Sequence, residues 1–274
     1  MTNVIIAVLL LTGLGVLFGI GLAVASRKLA VESDPRIDEI EGLLPGANCG
    51  ACGYPGCRGL AEAIVQGSAP VNACPVTTDC SVIAEVIGVE ALACERQVAK
   101  VRCIGGKKEA KERFAYVGSK DCYAAHQLAG GPKACEYGCL GLGSCVEACP
   151  FSAISINENG LAVVDEEKCT GCGQCVSVCP RDLIALLPAG DPVTVYCRNT
   201  EKGGVVRKIC QTGCIGCGIC VKQCDQGAIT LENNLVVIDP EKCNRCGRCI
   251  AKCPVKIIRG AVAEDPATSA VSGG

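Results

Sequence analysis

Four cysteines recur at one rhythm in two places, "CIGCGICVKQC" at 214–224 and "CNRCGRCIAKC" at 243–253. Thiolates are soft ligands, and a cubane iron–sulfur cluster needs four of them arriving from different directions. Three cysteines in C-x2-C-x2-C wrap one face of such a cube. The fourth sits too far along the loop to close the same cube and ligates a second one instead. Zinc sites pair two separated C-x2-C knuckles, which is a poor match to two full runs. The spacing therefore gives Cys214, Cys217, Cys220 and Cys253 to one cluster, and Cys224, Cys243, Cys246 and Cys249 to another. Asp225 stands where a proline usually follows the fourth cysteine. That residue shapes the loop and supplies no ligand.

Residues 133–180 repeat the pattern of 208–254. Cys135, Cys139, Cys145, Cys149, Cys169, Cys172, Cys175 and Cys179 fall on Cys210, Cys214, Cys220, Cys224, Cys243, Cys246, Cys249 and Cys253. Cys149, Cys169, Cys172 and Cys175 form a regular set. The other set lacks its middle cysteine, because Leu142 stands in the place of Cys217. Cys135 is the candidate to fill the gap beside Cys139, Cys145 and Cys179, although its counterpart Cys210 is not needed by the second copy. A fifth set has its own spacing: Cys49, Cys52 and Cys57 in "NCGACGYPGC", closed by Cys74. Its glycines permit the tight turns that let three thiols meet. One more cubane cluster is the simplest reading, with zinc as the alternative.

Of the remaining cysteines, Cys103 and Cys197 end similar stretches, "VRC" and "VYC", each ahead of one copy. Cys103, Cys122, Cys197 and Cys210 either form a sixth site bridging the copies or are buried free thiols, which behave as small hydrophobes. Cys80 and Cys94 fit no cluster spacing. The count is at least five [4Fe–4S] clusters, and six if the bridging site is real.

The elements that position these thiols must be small. The chain has 274 residues and 26 cysteines, aromatics are 3% of it, and there is no Trp. A net charge of −2 argues against a nucleic-acid partner. Asn3 to Ser26 carries no charge, and Arg27 and Lys28 follow at once. That run is long enough to span a bilayer as a helix, and a cleaved signal would carry its charge in front. The positive-inside rule then puts everything beyond it in the cytoplasm, giving a single-pass protein of the cytoplasmic (inner) membrane. Gly15, Gly19 and Ala23 share one helix face, where another membrane helix could approach closely. In a reducing cytoplasm structural disulfides are not expected, and the thiols read as metal ligands.

The predicted fold is α+β. It comprises a transmembrane anchor at 1–28, a small 4Fe–4S domain at 29–95, a linker at 96–130, two-cluster ferredoxin-like domains at 131–190 and 191–260, and a disordered tail at 261–274. Helices are expected over 58–67 and 81–95, and a β-hairpin between the Cys-rich loops of each copy.

The anchor, "NCGACGYPGC…CP", "GGPKACEYGCLGLGSCVEACPF" and "KICQTGCIGCGIC" together resemble the B subunits of the Rnf complex, the ion-translocating ferredoxin:NAD+ oxidoreductase of bacterial membranes. The resemblance makes the Leu142 substitution a family feature and leaves Cys80 and Cys94 outside the family motif. It implies an electron-transfer subunit that accepts electrons from soluble ferredoxin and relays them to membrane partners of an ion pump. The alternative is a membrane-tethered polyferredoxin that serves another redox enzyme or reduces a redox sensor. No catalytic side chain and no NAD or flavin site of its own is expected. A basic run around the last cluster, Lys242, Arg245, Arg248, Lys252, Lys256 and Arg259, is the candidate dock for an acidic ferredoxin. Because every candidate ligand lies beyond residue 48, removal of residues 1–26 should release a soluble protein that keeps its brown colour under strict anaerobiosis. Loss of iron on truncation, measured against the full chain, would make the helix more than a tether.

Overall fold

The computed structural model describes residues 2–28, 34–77, 79–90, 96–190 and 192–262. Cys94 and the tail from residue 263 lie outside the described residues. Helix α1 (Thr2–Lys28) stands clear of the rest, with Leu9, Leu10, Leu17, Phe18 and Leu22 all more than half exposed. Among the described residues it is the one helix long and apolar enough to cross a membrane. Leucines left bare along a whole helix suit lipid far better than water.

A small helical unit follows, built from α2 (Pro35–Leu43), α3 (Gly56–Val65) and α4 (Ser81–Ile87). Asp34 caps α2 by accepting from the Arg36 amide at 3.0 Å. Ile40, Leu60, Ile64 and Ile83 close the core of this unit against Cys52, Cys57 and Cys74. The helix expected over 81–95 stops early, at Gly88 in the left-handed conformation (φ 78°), and residues 91–95 lie outside the described residues. Cys80, buried at the start of α4, is disulfide-bonded, which corrects the expectation that no thiol would be oxidised.

The rest of the described chain is two copies of one small unit. The first holds β1 (Gln97–Val101), α5 (Cys122–Gln127), α6 (Ser144–Glu147), β2 (Ile154–Ile156), β3 (Ala162–Val164), α7 (Gln174–Ser177) and β4 (Ile184–Pro188). The second holds β5 (Thr194–Val195), α8 (Gly203–Ile209), α9 (Ile219–Lys222), β6 (Ile229–Glu232), β7 (Leu235–Ile238), α10 (Arg248–Lys252) and β8 (Ile258–Arg259). The expected hairpins are β2–β3, with Ile154 opposite Val164, and β6–β7, with Ile229 opposite Ile238.

Each unit is also closed by a strand contributed from ahead of it. β1 pairs antiparallel with β4, Val101 opposite Ile184, and β5 pairs with β8, Val195 opposite Ile258. The start of the 96–130 segment is therefore not a linker. Four of the five β1 residues are buried, and Val98 and Ala99 sit in the first unit's core.

Residues 109–113 continue the same role between the units. Lys111 N donates to Ile209 O and Gln211 N to Glu109 O, both at 2.9 Å, on one side. Ala134 N donates to Lys111 O at 2.8 Å and Arg113 N to Pro132 O at 2.6 Å on the other. One extended segment so binds the stretch around Cys135 to the stretch around Cys210.

With few aromatics, both cores are filled by cysteine. Cys139, Cys145, Cys169 and Cys175 are buried in the first, and Cys197, Cys214, Cys220 and Cys249 in the second. Each last cysteine of a loop is delivered in the same way. Gly143, Gly173, Gly218 and Gly247 turn left-handed (φ 96°, 77°, 68° and 74°), and a four- or five-residue helix then carries Cys145, Cys175, Cys220 or Cys249 inward. A side chain at such a φ is strained. Gly171 is constrained twice, by φ +71° and because a Cβ there would lie 2.5 Å from Gln97 O of β1. Gly171→Ala should cost at least about 1–2 kcal/mol from the left-handed conformation alone, seen as a lower thermal midpoint of the loaded protein. A wild-type midpoint would mean that β1 does not hold this loop.

Candidate cluster sites

The side chains that line three cavities sort the thiols of the first unit and the junction. One cavity, walled by Val101, Leu183 and Ile184, is lined by Cys122, Cys139, Cys145 and Cys179. A second is lined by Cys103, Cys135, Cys197 and Cys210. A third is lined by Cys149, Cys169, Cys172 and Cys175. The regular set of the first copy is thus brought together as its spacing requires. The cysteines of the irregular set do not all share a cavity: Cys122, rather than Cys135, lines the one with Cys139, Cys145 and Cys179. Cys135 instead joins Cys103, Cys197 and Cys210 between the two units.

Local structure explains the exchange. Cys122 opens α5, whose N-cap Asp121 accepts from Ala124 N at 2.8 Å, and the Cys122 amide donates to Ser144 Oγ at 2.7 Å. Ser144 begins the helix that carries Cys145, so these bonds tie Cys122 to its ring. Cys135 is turned the other way. Asn199 Nδ2 donates to its sulfur at 3.3 Å, and the 109–113 segment holds it near Cys210. Leu142, in the position of Cys217, lines an outer cleft with Arg207 and Gln211.

In the second unit Cys220 lies within electrostatic reach of Cys214, Cys217 and Cys253, and Cys249 of Cys243 and Cys246. Cys224 packs in the same core as Cys243 and Cys249. Asp225 pairs with Arg248 on α10 and so braces the two loops where a proline would otherwise stiffen one. In the N-terminal unit the Cys57 amide donates to Asn48 Oδ1 at 2.8 Å, closing the "NCGACGYPGC" loop on itself.

The thiol chemistry fits an iron–sulfur cluster. Burial is the largest force on these groups and holds them protonated. Cys145, Cys175 and Cys197 are each pushed up to about 12 and Cys220 up to about 11. Buried thiols of this kind become thiolates only against a cation, which cluster iron supplies. Donors already face the sulfurs. Ala99 N reaches Cys169 Sγ at 3.3 Å, Cys139 N reaches Cys103 Sγ at 3.4 Å, Ala153 N reaches Cys149 Sγ at 3.3 Å and Cys214 N reaches Cys197 Sγ at 3.3 Å. Among the described residues no three His, Cys, Asp or Glu side chains close in on a single metal ion. Thiols set around a cavity suit a cubane, where each iron takes one sulfur, better than one tetrahedral ion.

Comparison with known proteins agrees. A model described as a putative Fe–S cluster domain matches residues 44–76, and two described as 4Fe–4S dicluster domains match 134–186 and 213–257. The chain is 47% identical to the B subunit of the proton-translocating ferredoxin:NAD(+) oxidoreductase complex of Clostridium ljungdahlii, over 96% of this chain and 94% of that one. It is 46% identical to the B subunit of the Na(+)-translocating counterpart of Acetobacterium woodii, over 90% of this chain and 75% of that one. It is also 43% identical to the B subunit of the ion-translocating oxidoreductase complex of Methanosarcina acetivorans, over 94% and 99%. The chain belongs to the family of Rnf-complex B subunits. A member of this family with three such domains is an iron–sulfur electron-transfer component of the Rnf complex that carries multiple clusters.

The cavity grouping separates the cysteines of this Rnf protein in a way that iron counts can read. Cys122→Ser combined with Cys139→Ser should lose the iron of one cluster, since both strike one ring. Cys135→Ser combined with Cys139→Ser should lose the iron of two. Equal loss in the two double variants would return Cys135 to the ring of Cys139.

Proposed function

We propose that this chain is the cytoplasmic electron entry arm of an Rnf complex, anchored by α1, and that it carries six [4Fe–4S] clusters in linear order. Bound clusters supply one-electron chemistry. The chain holds them, excludes water and sets their sequence. The proposed ligand sets are Cys49, Cys52, Cys57 and Cys74; Cys149, Cys169, Cys172 and Cys175; Cys122, Cys139, Cys145 and Cys179; Cys103, Cys135, Cys197 and Cys210; Cys214, Cys217, Cys220 and Cys253; and Cys224, Cys243, Cys246 and Cys249.

One observation carries this reading: every set touches the next. Gln174, beside Cys175, donates to Cys49 O at 2.8 Å, and Cys49 lies within electrostatic reach of Cys172. Cys175 lies likewise within reach of Cys145. Cys139 N donates to Cys103 Sγ, and Cys214 N donates to Cys197 Sγ. α9 and α10 pack together and join the last two sets. A store or a sensor has no need of an unbroken series, whereas a relay between a soluble donor and membrane partners does. NAD+ reduction and ion movement belong, on this reading, to partner subunits.

Electrons enter at the far end from the anchor. Lys242, Arg245, Arg248, Lys252, Lys256 and Arg259 are clustered there, although Lys242 pairs with Asp239 at 2.9 Å, Arg248 with Asp225, and Arg259 lies over the Tyr196 ring. A basic surface beside the last cluster steers an acidic ferredoxin. Arg245→Glu with Lys252→Glu should slow reduction by ferredoxin about tenfold or more at low salt. The difference should fade at physiological ionic strength, where the screening length is about 8 Å. Reduction by a small uncharged donor should be unchanged. Wild-type reduction by ferredoxin in low salt would move the entry point elsewhere, and an iron and sulfide content matching three clusters or fewer would overturn the relay.

A further inference from the structure

Two cations are buried between the ring of Cys139 and the ring of Cys135. Lys133 is 6% exposed and Arg181 8%. Lys133 lines the cavity of Cys103, Cys135, Cys197 and Cys210, yet its Nζ donates to the carbonyl of Cys139, in the other ring, at 2.6 Å, and to Gly105 O at 2.7 Å. Arg181 does the converse. It lines the cavity of Cys122, Cys139, Cys145 and Cys179, and its guanidinium donates to the carbonyl of Cys135, in the other ring, at 2.7 Å. It also donates to Gly138 O at 2.5 Å and to Gly130 O. The two side chains cross in the wall between the cavities.

Among the described residues neither forms an ion pair with a carboxylate; all their hydrogen bonds run to carbonyl oxygens. Burying a charge without an opposite charge is costly, and buried charges are as a rule paired. The acidic groups within electrostatic reach of Arg181 are the thiols of Cys135, Cys103 and Cys139, which would carry negative charge once they ligate iron. Its Nε is buried with no hydrogen-bond partner, which leaves a donor unspent beside the cavity. Glycine keeps the wall thin: a Cβ at Gly138 would lie 2.7 Å from Lys133 Cδ, and one at Gly131 3.1 Å from an Arg181 terminal nitrogen. A four-thiolate cluster is anionic and gains a further negative charge on reduction, so a fixed positive charge beside it favours the reduced form.

We infer that Lys133 and Arg181 are potential-setting residues, which counter the charge of the two clusters they separate and raise the reduction potential of both above what it would be without them. The inference rests on the six-cluster reading above.

The test uses the full chain, purified anaerobically, with EPR-monitored redox titration and an iron and sulfide count. Signals of the two centres are assigned by their loss in Cys122→Ser and Cys197→Ser. Lys133→Gln and Arg181→Met should keep the wild-type iron content and shift these two centres to lower potential, leaving the others in place. Lys133→Arg and Arg181→Lys, which keep the charge, should titrate as the wild type. If the neutral variants lose these two clusters while the charge-keeping ones hold them, charge serves retention rather than potential, and the inference falls. Unshifted potentials in fully loaded neutral variants overturn it. So does equal loss of iron from neutral and charge-keeping variants, which would make both residues structural. Absence of either centre's signal from the wild-type protein would instead defeat the six-cluster reading, a separate result.

Discussion

A thiol taken out of water resists ionisation, and a cluster needs four ionised thiols in one dry place. Most of the structure answers that demand. No single loop can surround a cube, so each ring takes cysteines from at least two segments. The left-handed glycines at 143, 173, 218 and 247 let short helices carry the last thiol of each loop inward. The hydrophobic cores are correspondingly slight, with two-stranded sheets and hardly an aromatic. Cysteine does the filling that Leu and Phe do elsewhere, so the cofactor and the core are one object.

The second constraint is charge. Clusters are anionic, and where a carboxylate comes near a ring a donor lies between: Glu201 accepts from Asn199 Nδ2, which also donates to Cys135 Sγ. Other carboxylates pair with cations at the surface, Asp225 with Arg248 and Asp239 with Lys242. The polar groups facing sulfur include backbone amides, the buried Asn199 side chain and the Thr212 hydroxyl beside Cys210, with the two cations at the junction held by carbonyls nearby. Donors inside and paired charges outside form a gradient from the surface to the sulfurs.

Spacing alone was enough to read the regular loops, because C-x2-C-x2-C is a local geometric device whose ligands lie within one turn of chain. It also located both hairpins and the helix at Gly56–Val65. It is silent where a cavity-lining cysteine comes from far away. Cys122 is named by no spacing; its only local signature is Asp121 ahead of a short alanine-bearing turn, a capping signal with nothing to say about iron. Symmetry would have done better. Cys103 and Cys197 end equivalent strands, and Cys135 and Cys210 occupy equivalent places in the repeat, so the bridging ring is two pairs of counterparts. Taking Cys122 for that ring broke the pairing. The strand roles of 97–101 and 194–195 were missed for a related reason: each closes a sheet whose other strand lies some 60 to 90 residues on, beyond any local period.

The ring of Cys103, Cys135, Cys197 and Cys210 has a consequence for biogenesis. Its ligands come from both units, and the 109–113 segment that gathers them needs hydrogen-bond partners at 132–134 and at 209–211. On the proposed ligand sets, a ribosome that has delivered only the first unit has made a chain able to bind iron at its own two rings, but not at this one. The bridging ring is complete once Cys210 has emerged, ahead of the two rings of the second unit, whose last member is Cys253. On the proposed relay, a chain arrested before Cys197 would hold its first centres with no path from the donor end, insulated from incoming electrons by the very gap that marks it unfinished.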